Sequence, residues 1–421
     1  MVTRLKVLMS AYACEPGRGS EPEVGWQWAF QMARFHEVTV VTRANNRAVI
    51  DRALADYPGA KPEFIYYDLP AWGLWLKRHG LPVALYYFLW HIGVRRHLAS
   101  ELGRFDLIHH VTFNSFRQPG FWWFCGRPVV LGPLGGGQIC PWRFLPRFGS
   151  RMLPELFRSL SVVGSVLLPH IYICFHFATR ILVANQDTVE RIPKRYHNKI
   201  VRMLETGIPA GMVQPPPHEP VARGGAVKFI WVSRLEKIKA CSLALEAFAY
   251  ARKAEPALRL TIVGDGPDAD FLKATANHLS LGDSVHWHGR VAKDDIPRLL
   301  REHDGFVFTS VRDTSGNVLL EAMAAGLPAV TLRHHGAAEI ATDETALRIQ
   351  PSGFRATATA LGEAMLRLAR DSELRARLGN AGRQRILDVY VWDRKGEWMN
   401  AIYHRIVPLA HGESEGLARP Q

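Results

Sequence analysis

Arg234 and Lys239 follow an apolar run at 229–233, and Asp313 and Glu321, with seven residues between them, flank a polar loop and the helix-forming run after it. Two fixed cations beside a helix N-terminus suit a diphosphate, whose charge they neutralise without a divalent metal. Carboxylates are poor phosphate partners. They serve better as acceptors for hydroxyl groups, on a sugar for Asp313 and on a ribose for Glu321. A sugar joined to a nucleoside diphosphate supplies all of these groups at once. The leaving diphosphate gathers charge as the glycosidic bond breaks, and preorganised cations lower that barrier. The four residues together therefore point to glycosyl transfer. Singly, three of them have a plainer reading: Arg234 and Lys239 as surface partners of Glu236 or Glu246, and Asp313 as the cap of a turn.

The elements that must position these residues follow from the hydrophobic pattern. Residues 305–310 read as an apolar strand and 311–317 as a loop in which Gly316 is free to take an unusual backbone angle. Residues 318–325 read as a helix capped by Asn317 and ended by Gly326 and Pro328. Strand, loop, helix and strand form a βαβ unit, which binds ligands at the carboxyl ends of its strands. Further units precede it, with strands at 229–233, 258–263 and 285–290, a helix at 243–252 and a Gly-Asp-Gly-Pro turn at 264–267. Helices at 357–370, 372–382 and 392–406 follow it.

The first half has the same character. Strands at 5–11 and 37–43 enclose a helix at 24–35, and the loop at 15–21 carries Gly17 and Gly19. That loop lacks the third glycine of the dinucleotide fingerprint, and no acid ends the second strand. It reads as an acceptor-side or diphosphate-side loop, with an ordinary turn as the alternative. His109 and His110 end a short strand, where a histidine can donate a hydrogen bond or carry a proton. A strand at 128–131 runs into a glycine-rich turn at 132–137, the last strand of this half is 179–185, and 200–204 reads as a short one beyond it. The proline-rich stretch 208–220 excludes helix and central strand. The division expected is a first, acceptor-side Rossmann-like domain at 1–206, a linker at 207–226 and a nucleotide-sugar-binding Rossmann-like domain at 227–390. A helix at 391–410 with the option of packing back on the first domain and a frayed tail at 411–421 complete it. The fold class is α/β, two doubly wound domains facing a central cleft.

With 421 residues and 48% hydrophobic content, the chain has enough apolar material for two cores. Five scattered cysteines without a CxxC pair argue against a disulfide framework or a zinc site and for a reducing compartment. The amino terminus reads as a first buried strand rather than a signal peptide, which predicts a cytoplasmic protein, either free or peripheral on the inner face of the cell membrane. A formal charge of +13 calls for acidic partners or is simply a solvated basic surface. No RNA-binding signature or long Lys/Arg run accompanies it, so no nucleic acid is expected. Segments 69–96 and 153–177 are rich in Trp, Tyr, Phe and Leu with flanking Lys77, Arg78, Arg95 and Arg96. They fit either core helices or amphipathic faces that dock on a membrane, and neither has the uninterrupted apolar length of a spanning helix. Asp268 and Asp270 form a DxD pattern at an expected helix start, where acids complement the dipole.

Arg234 with Lys239, the turn at 264–267, His288-Gly289-Arg290-Val291, and the Asp313 to Glu321 pair running on through Ala322-Met323-Ala324-Ala325-Gly326 resemble the retaining GT-B glycosyltransferases of family 4. The likeness covers nearly the whole carboxyl-terminal half, with motifs in matching order. The stretch 17–20, His109-His110 and the turn at 132–136 are looser matches. The resemblance implies transfer with retention of configuration, no metal and no cofactor, the nucleotide sugar being a substrate. It implies Arg234 and Lys239 on the diphosphate, Glu321 on the ribose and Asp313 on the donor sugar. Gly17, Gly19, Gly264, Ser315, Gly316, Asn317 and Val318 would lie against phosphates or sugar, and Arg290 and Val291 against the base. His109, His110, Arg234, Lys239 and Asp313 would be the catalytic set. The sequence departs from the family pattern at Asp313, where Glu is usual, in the loop 314–317, and at Val111, which stands where the second of the family's paired histidines would. A lipid-linked or polysaccharide acceptor in envelope assembly is the expected partner, with membrane association. A nucleotide-sugar epimerase or hydrolase, or a catalytically silent basic protein binding nucleic acid or lipid, are the alternatives.

Overall fold

Long apolar runs with little alternation build strands covered on both faces, and here they build two parallel sheets. The computed structural model describes residues 3–113, 115–213 and 226–407. Most of the expected linker, the end of the expected carboxyl-terminal helix and the tail at 411–421 lie outside the described residues.

The first sheet comprises β1 (Lys6–Ser10), β2 (Glu37–Thr42), β3 (Glu63–Tyr66), β4 (Leu107–His110), β5 (Val129–Leu134), β6 (Arg180–Val183) and β7 (Ile200–Arg202), in the order β3-β2-β1-β4-β5-β6-β7. The second comprises β8 (Lys228–Val232), β9 (Arg259–Val263), β10 (Val285–Gly289), β11 (Gly305–Phe308), β12 (Ala329–Leu332) and β13 (Ala346–Ile349), in the order β10-β9-β8-β11-β12-β13. Each order reverses direction once, between β1 and β4 and between β8 and β11. A doubly wound sheet opens a ligand crevice at that reversal, beyond the carboxyl ends of its strands. In this chain the residues best suited to bind a ligand follow those strand ends.

Pattern reading does not mark β3, β13 or the helix His335–Ile340. β3 is four residues and only half buried, so it has no apolar run to display. In the helix Asn317–Ala324, Asn317 is the first helical residue rather than the cap expected of it. Gly316 occupies the cap position with φ 82°, and a Cβ there would lie 2.9 Å from the Phe308 ring. A residue with a side chain would have to be strained and displaced at once.

The chain passes between the domains twice at adjacent points. Ile208 donates its N–H to the Tyr390 carbonyl at 2.9 Å, and Trp392 donates to the Ile208 carbonyl at 3.0 Å. Beyond that crossing, the helix Trp392–Ile406 lies on the first domain against the helix Ser20–Ala33. Trp392 meets Trp28 edge to face with centroids 5.3 Å apart, and Met399, Ile402 and Tyr403 join Val7, Met9, Val40 and Leu107 in one core. All five cysteines are free thiols.

Candidate active site in the interdomain cleft

The loops leaving β8 and β11 are laced together before they meet any ligand. Thr309 Oγ1 donates towards the carbonyls of Lys239 and Ala240 at 3.1 and 3.0 Å, and Val311 N–H donates to the Ile238 carbonyl at 2.9 Å. This brings Lys239 Nζ to 2.5 Å from Asp313 Oδ2, which also accepts from Ser310 Oγ at 3.3 Å. Each partner therefore holds the other in place at the crevice. Arg234 pairs with Glu236 at 2.5 Å, as the plainer reading had it, but 76% of its side chain is exposed. Such a pair is worth little in water and leaves the guanidinium free to turn. Glu246 faces Arg147 instead. Gly264 fixes the strand end that carries Arg234: at φ 134° a Cβ would sit 1.9 Å from the Ser233 carbonyl oxygen. Only glycine lets this turn close on the β8 loop, where Leu235 N–H reaches the Asp265 carbonyl at 3.0 Å.

Across from these loops the first domain completes a cleft of about 420 Å³. Asp313, Thr314, Ser315 and Asn317 form one wall, and Ser20, Glu21, Ser115, Arg117, Gly135 and Glu205 are among the residues facing them. The loop 313–315 is pinned to the first domain. Asn185 Nδ2 donates to the Thr314 carbonyl at 3.0 Å, and Arg312 Nε lies 3.1 Å from Glu155 Oε1. Gly135 is so close to Thr314 that a Cβ would lie 2.5 Å from its methyl group.

Glu321 and Val318 stand on the helix Asn317–Ala324. Burial pushes the Glu321 carboxyl up to about 7, and Lys293 only partly offsets that. No described residue donates a hydrogen bond to this carboxyl. Lys293 brings the loop after β10 close to Glu321, and Val291 packs in the same apolar cluster as Val318. Arg290, in that loop, is exposed. Gly17 and Gly19, at φ 71° and 70°, lie in an exposed turn closed by Glu23 Oε2, which accepts from Gly17 N–H at 2.6 Å. They do not line the cleft, whereas Ser20 and Glu21, immediately after them, do.

His109 and His110 are not brought to the cleft. Successive strand residues point to opposite faces, so each histidine is sunk in a different core. His109 bonds the Tyr403 hydroxyl at 2.5 Å and the Gly132 carbonyl at 2.7 Å, and His110 bonds the Tyr87 hydroxyl at 2.9 Å. Burial lowers them to about 4 and about 3, which keeps both neutral. In this structure both are held by packing and hydrogen bonds inside the first domain. Of the DxD pair, Asp268 is buried 3.7 Å from Lys237 at the start of the helix Ala269–His278, and Asp270 is exposed. Among the described residues no group of three or more His, Cys, Asp or Glu could hold a metal ion.

Sequence reasoning missed Glu205, Arg117, Ser115, Asn185, Arg312 and Lys395. None belongs to a local pattern: Glu205, Asn185, Arg312 and Lys395 are brought to or beneath the cleft by contacts across 100 residues or more, and Ser115 and Arg117 stand in the loop after β4, bridged to Gly135 and Ser161.

The aromatic segments divide. Tyr86, Tyr87 and Trp90 are fully buried, while Trp72, Trp75 and Phe88 are exposed. On the helix Met152–Gly164 and the turn after it, Leu153, Leu156, Phe157, Leu160, Val163 and Leu167 are all exposed. Among the described residues no single helix is long and apolar enough to cross a membrane. One bent pair, Trp142–Leu167 with Pro169–Phe177 at 59°, reaches that length and composition only jointly.

Two doubly wound domains facing a cleft, with the best binding residues at the switch crevice of the second, define the GT-B architecture. The same fold is seen in HepE (Alr3699) of Anabaena, crystallised with UDP, with a TM-score of 0.61 at 15% identity over 95% of this chain and all of that one. Residues 218–385 match the family model of glycosyl transferases group 1. The alpha-monoglucosyldiacylglycerol synthase of Streptococcus pneumoniae is 32% identical over 25% of this chain and 24% of its own length. The D-inositol 3-phosphate glycosyltransferase of Salinispora arenicola is 32% identical over 47% of this chain and 44% of its own. The chain thus spans less than half of these curated relatives.

Proposed function

We propose that the protein is a retaining, metal-independent hexosyltransferase that moves a hexose from a nucleoside diphosphate sugar to a lipid-linked or polysaccharide acceptor. The observation that carries this reading is the Lys239–Asp313 contact at the β8/β11 crevice, inside a group 1 domain. A donor entering there separates the pair: its phosphates take Lys239 and a reoriented Arg234, and a sugar hydroxyl takes Asp313. The amide end of the helix Asn317–Ala324, with Gly316 at its cap, adds dipole stabilisation to the diphosphate, and Glu321 accepts from the ribose. The bond from the sugar to the diphosphate breaks with its electron pair on phosphate. The acceptor oxygen bonds the same carbon from the first-domain side, and its proton passes to the departing phosphate. Two fixed cations do the neutralising that a divalent ion does elsewhere. Retention of configuration is taken from the family 4 resemblance.

For the acceptor, the exposed residues from Leu153 to Leu167 recur at helical spacing on one face, with exposed Arg151 just before them in the chain. An apolar stripe next to a cation fits an anionic bilayer surface. The pneumococcal relative, whose name gives a glucosylated diacylglycerol as product, supports a lipid-linked acceptor.

A thermal-shift panel of UDP-glucose, GDP-mannose and ADP-glucose, with magnesium and with EDTA, tests the donor half. UDP-sugars come first because HepE was crystallised with UDP. One base class should raise the midpoint by a few degrees at saturating ligand, equally with EDTA. No shift with any of them refutes the reading, and a shift that needs magnesium refutes metal independence.

A further inference from the structure

Glu205 follows β7 in the segment that leads to the first domain crossing, and its backbone is clamped. Trp28 Nε1 donates to the Glu205 carbonyl at 3.0 Å, and Lys395 Nζ donates to the Leu204 carbonyl at 2.5 Å. The side chain lines the cleft yet is only 8% exposed, and its Oε2 is fully buried without a hydrogen-bond partner among the described residues. Burial raises this carboxyl above its usual range; its own backbone N–H, the Ser315 hydroxyl and the Lys395 ammonium offset that only in part, and Asp313 adds to it. Lys395 is itself almost wholly buried, 1% exposed, on the helix whose Met399, Ile402 and Ile406 pack in the first domain's core.

A buried carboxylate oxygen left without a donor is costly, and a counter-charge repays only part of that cost. The arrangement persists where something else completes it. The clamped backbone keeps Glu205 from swinging out to water, and the groups around its carboxyl, Ser315 and Asp313, belong to the loop that faces the donor. A hexose carries adjacent hydroxyls, and two carboxylates within electrostatic reach of each other can accept from two of them.

We propose that Glu205 accepts a hydrogen bond from a hydroxyl of the transferred sugar on the floor of the cleft, a specificity-determining contact beside Asp313 that Lys395 supports from below. The proposal rests on the reading of this cleft as a donor-sugar site. It assigns part of sugar selection to the first domain and to the terminal helix rather than to the group 1 domain alone.

Titration calorimetry on the full chain and on Glu205→Gln separates the possibilities, using UDP with UDP-glucose and UDP-galactose, and GDP with GDP-mannose. For whichever nucleotide binds, Glu205→Gln should leave the diphosphate affinity within about twofold and weaken the sugar nucleotide about tenfold. Discrimination between sugar epimers should fall in parallel. Glu205→Asp, which keeps the charge but withdraws it by one methylene, should lose less, and it replaces the amide variant if that fails to fold. An equal loss for diphosphate and sugar nucleotide marks a purely structural role and overturns the proposal. So does no differential loss, the result expected if only a water fills the site. Absence of binding by any of these ligands to the parent protein overturns the donor reading and this proposal together.

Discussion

Replacing Glu321 by Gln should make the protein more stable above neutral pH and change it far less in mild acid. Burial raises this carboxyl from 4.5 to about 7, and no described residue donates a hydrogen bond to it. Well below pH 4.5 the group is neutral folded and unfolded, so it costs nothing. As pH rises towards 7 the unfolded chain ionises while the native protein stays protonated, and stability falls. Above 7 the whole cost is present, roughly 3 kcal/mol for a shift of this size and nearer 2 where water reaches part of the side chain. The amide carries no such penalty. Urea unfolding of parent and Glu321→Gln at pH 5 and pH 8 should give curves that differ by less than about 1 kcal/mol at the lower pH and by about 2–3 kcal/mol at the higher, with the variant ahead. A difference that does not change with pH would refute the reasoning, because it would show that the carboxyl does not titrate across this range. The same group makes a prediction for ligand binding. Ribose hydroxyls donating to ionised Glu321 would remove the penalty, so nucleotide binding near pH 6.5 should release a proton from the parent and not from the variant.

Asp313→Ala frees Lys239 from its carboxylate, so nucleoside diphosphate affinity should hold or rise while turnover falls about a hundredfold; parallel loss of both would contradict the assignment of Asp313 to the sugar. Phe157→Glu with Leu160→Glu should lower partition onto anionic phosphatidylglycerol vesicles by more than tenfold, since each side chain buries roughly 2 kcal/mol of apolar surface at an interface. Unchanged vesicle binding in co-sedimentation would remove the bilayer from the acceptor reading.

What was legible in the sequence is what local pattern encodes. β8, β11 and the helix after the Asp313 loop follow from apolar runs and from Gly316, and these three elements place Lys239, Asp313 and Asn317 together. The fold class followed because strand and helix signals alternate throughout. The site's other wall did not. Glu205 gives no sign in sequence that Lys395, 190 residues later, will lie beneath it. His109 and His110 misled for a related reason: a strand end next to a loop suggests access, but whether a helix covers the strand depends on packing. Here Tyr403 of the terminal helix and Tyr87 of the helix Val83–His97 cover one histidine each.

The adjacent crossings at Ile208 and Val391 bear on how the cleft opens. Two connections far apart would leave the domains free to twist about either one, and a single connection would allow almost any motion. Two that share hydrogen bonds act as the spine of a book, restricting the halves mainly to rotation about one line. Because the second crossing continues into a helix that completes the first domain's core, shortening the chain before Trp392 would break the spine and unroof a domain some two hundred residues upstream.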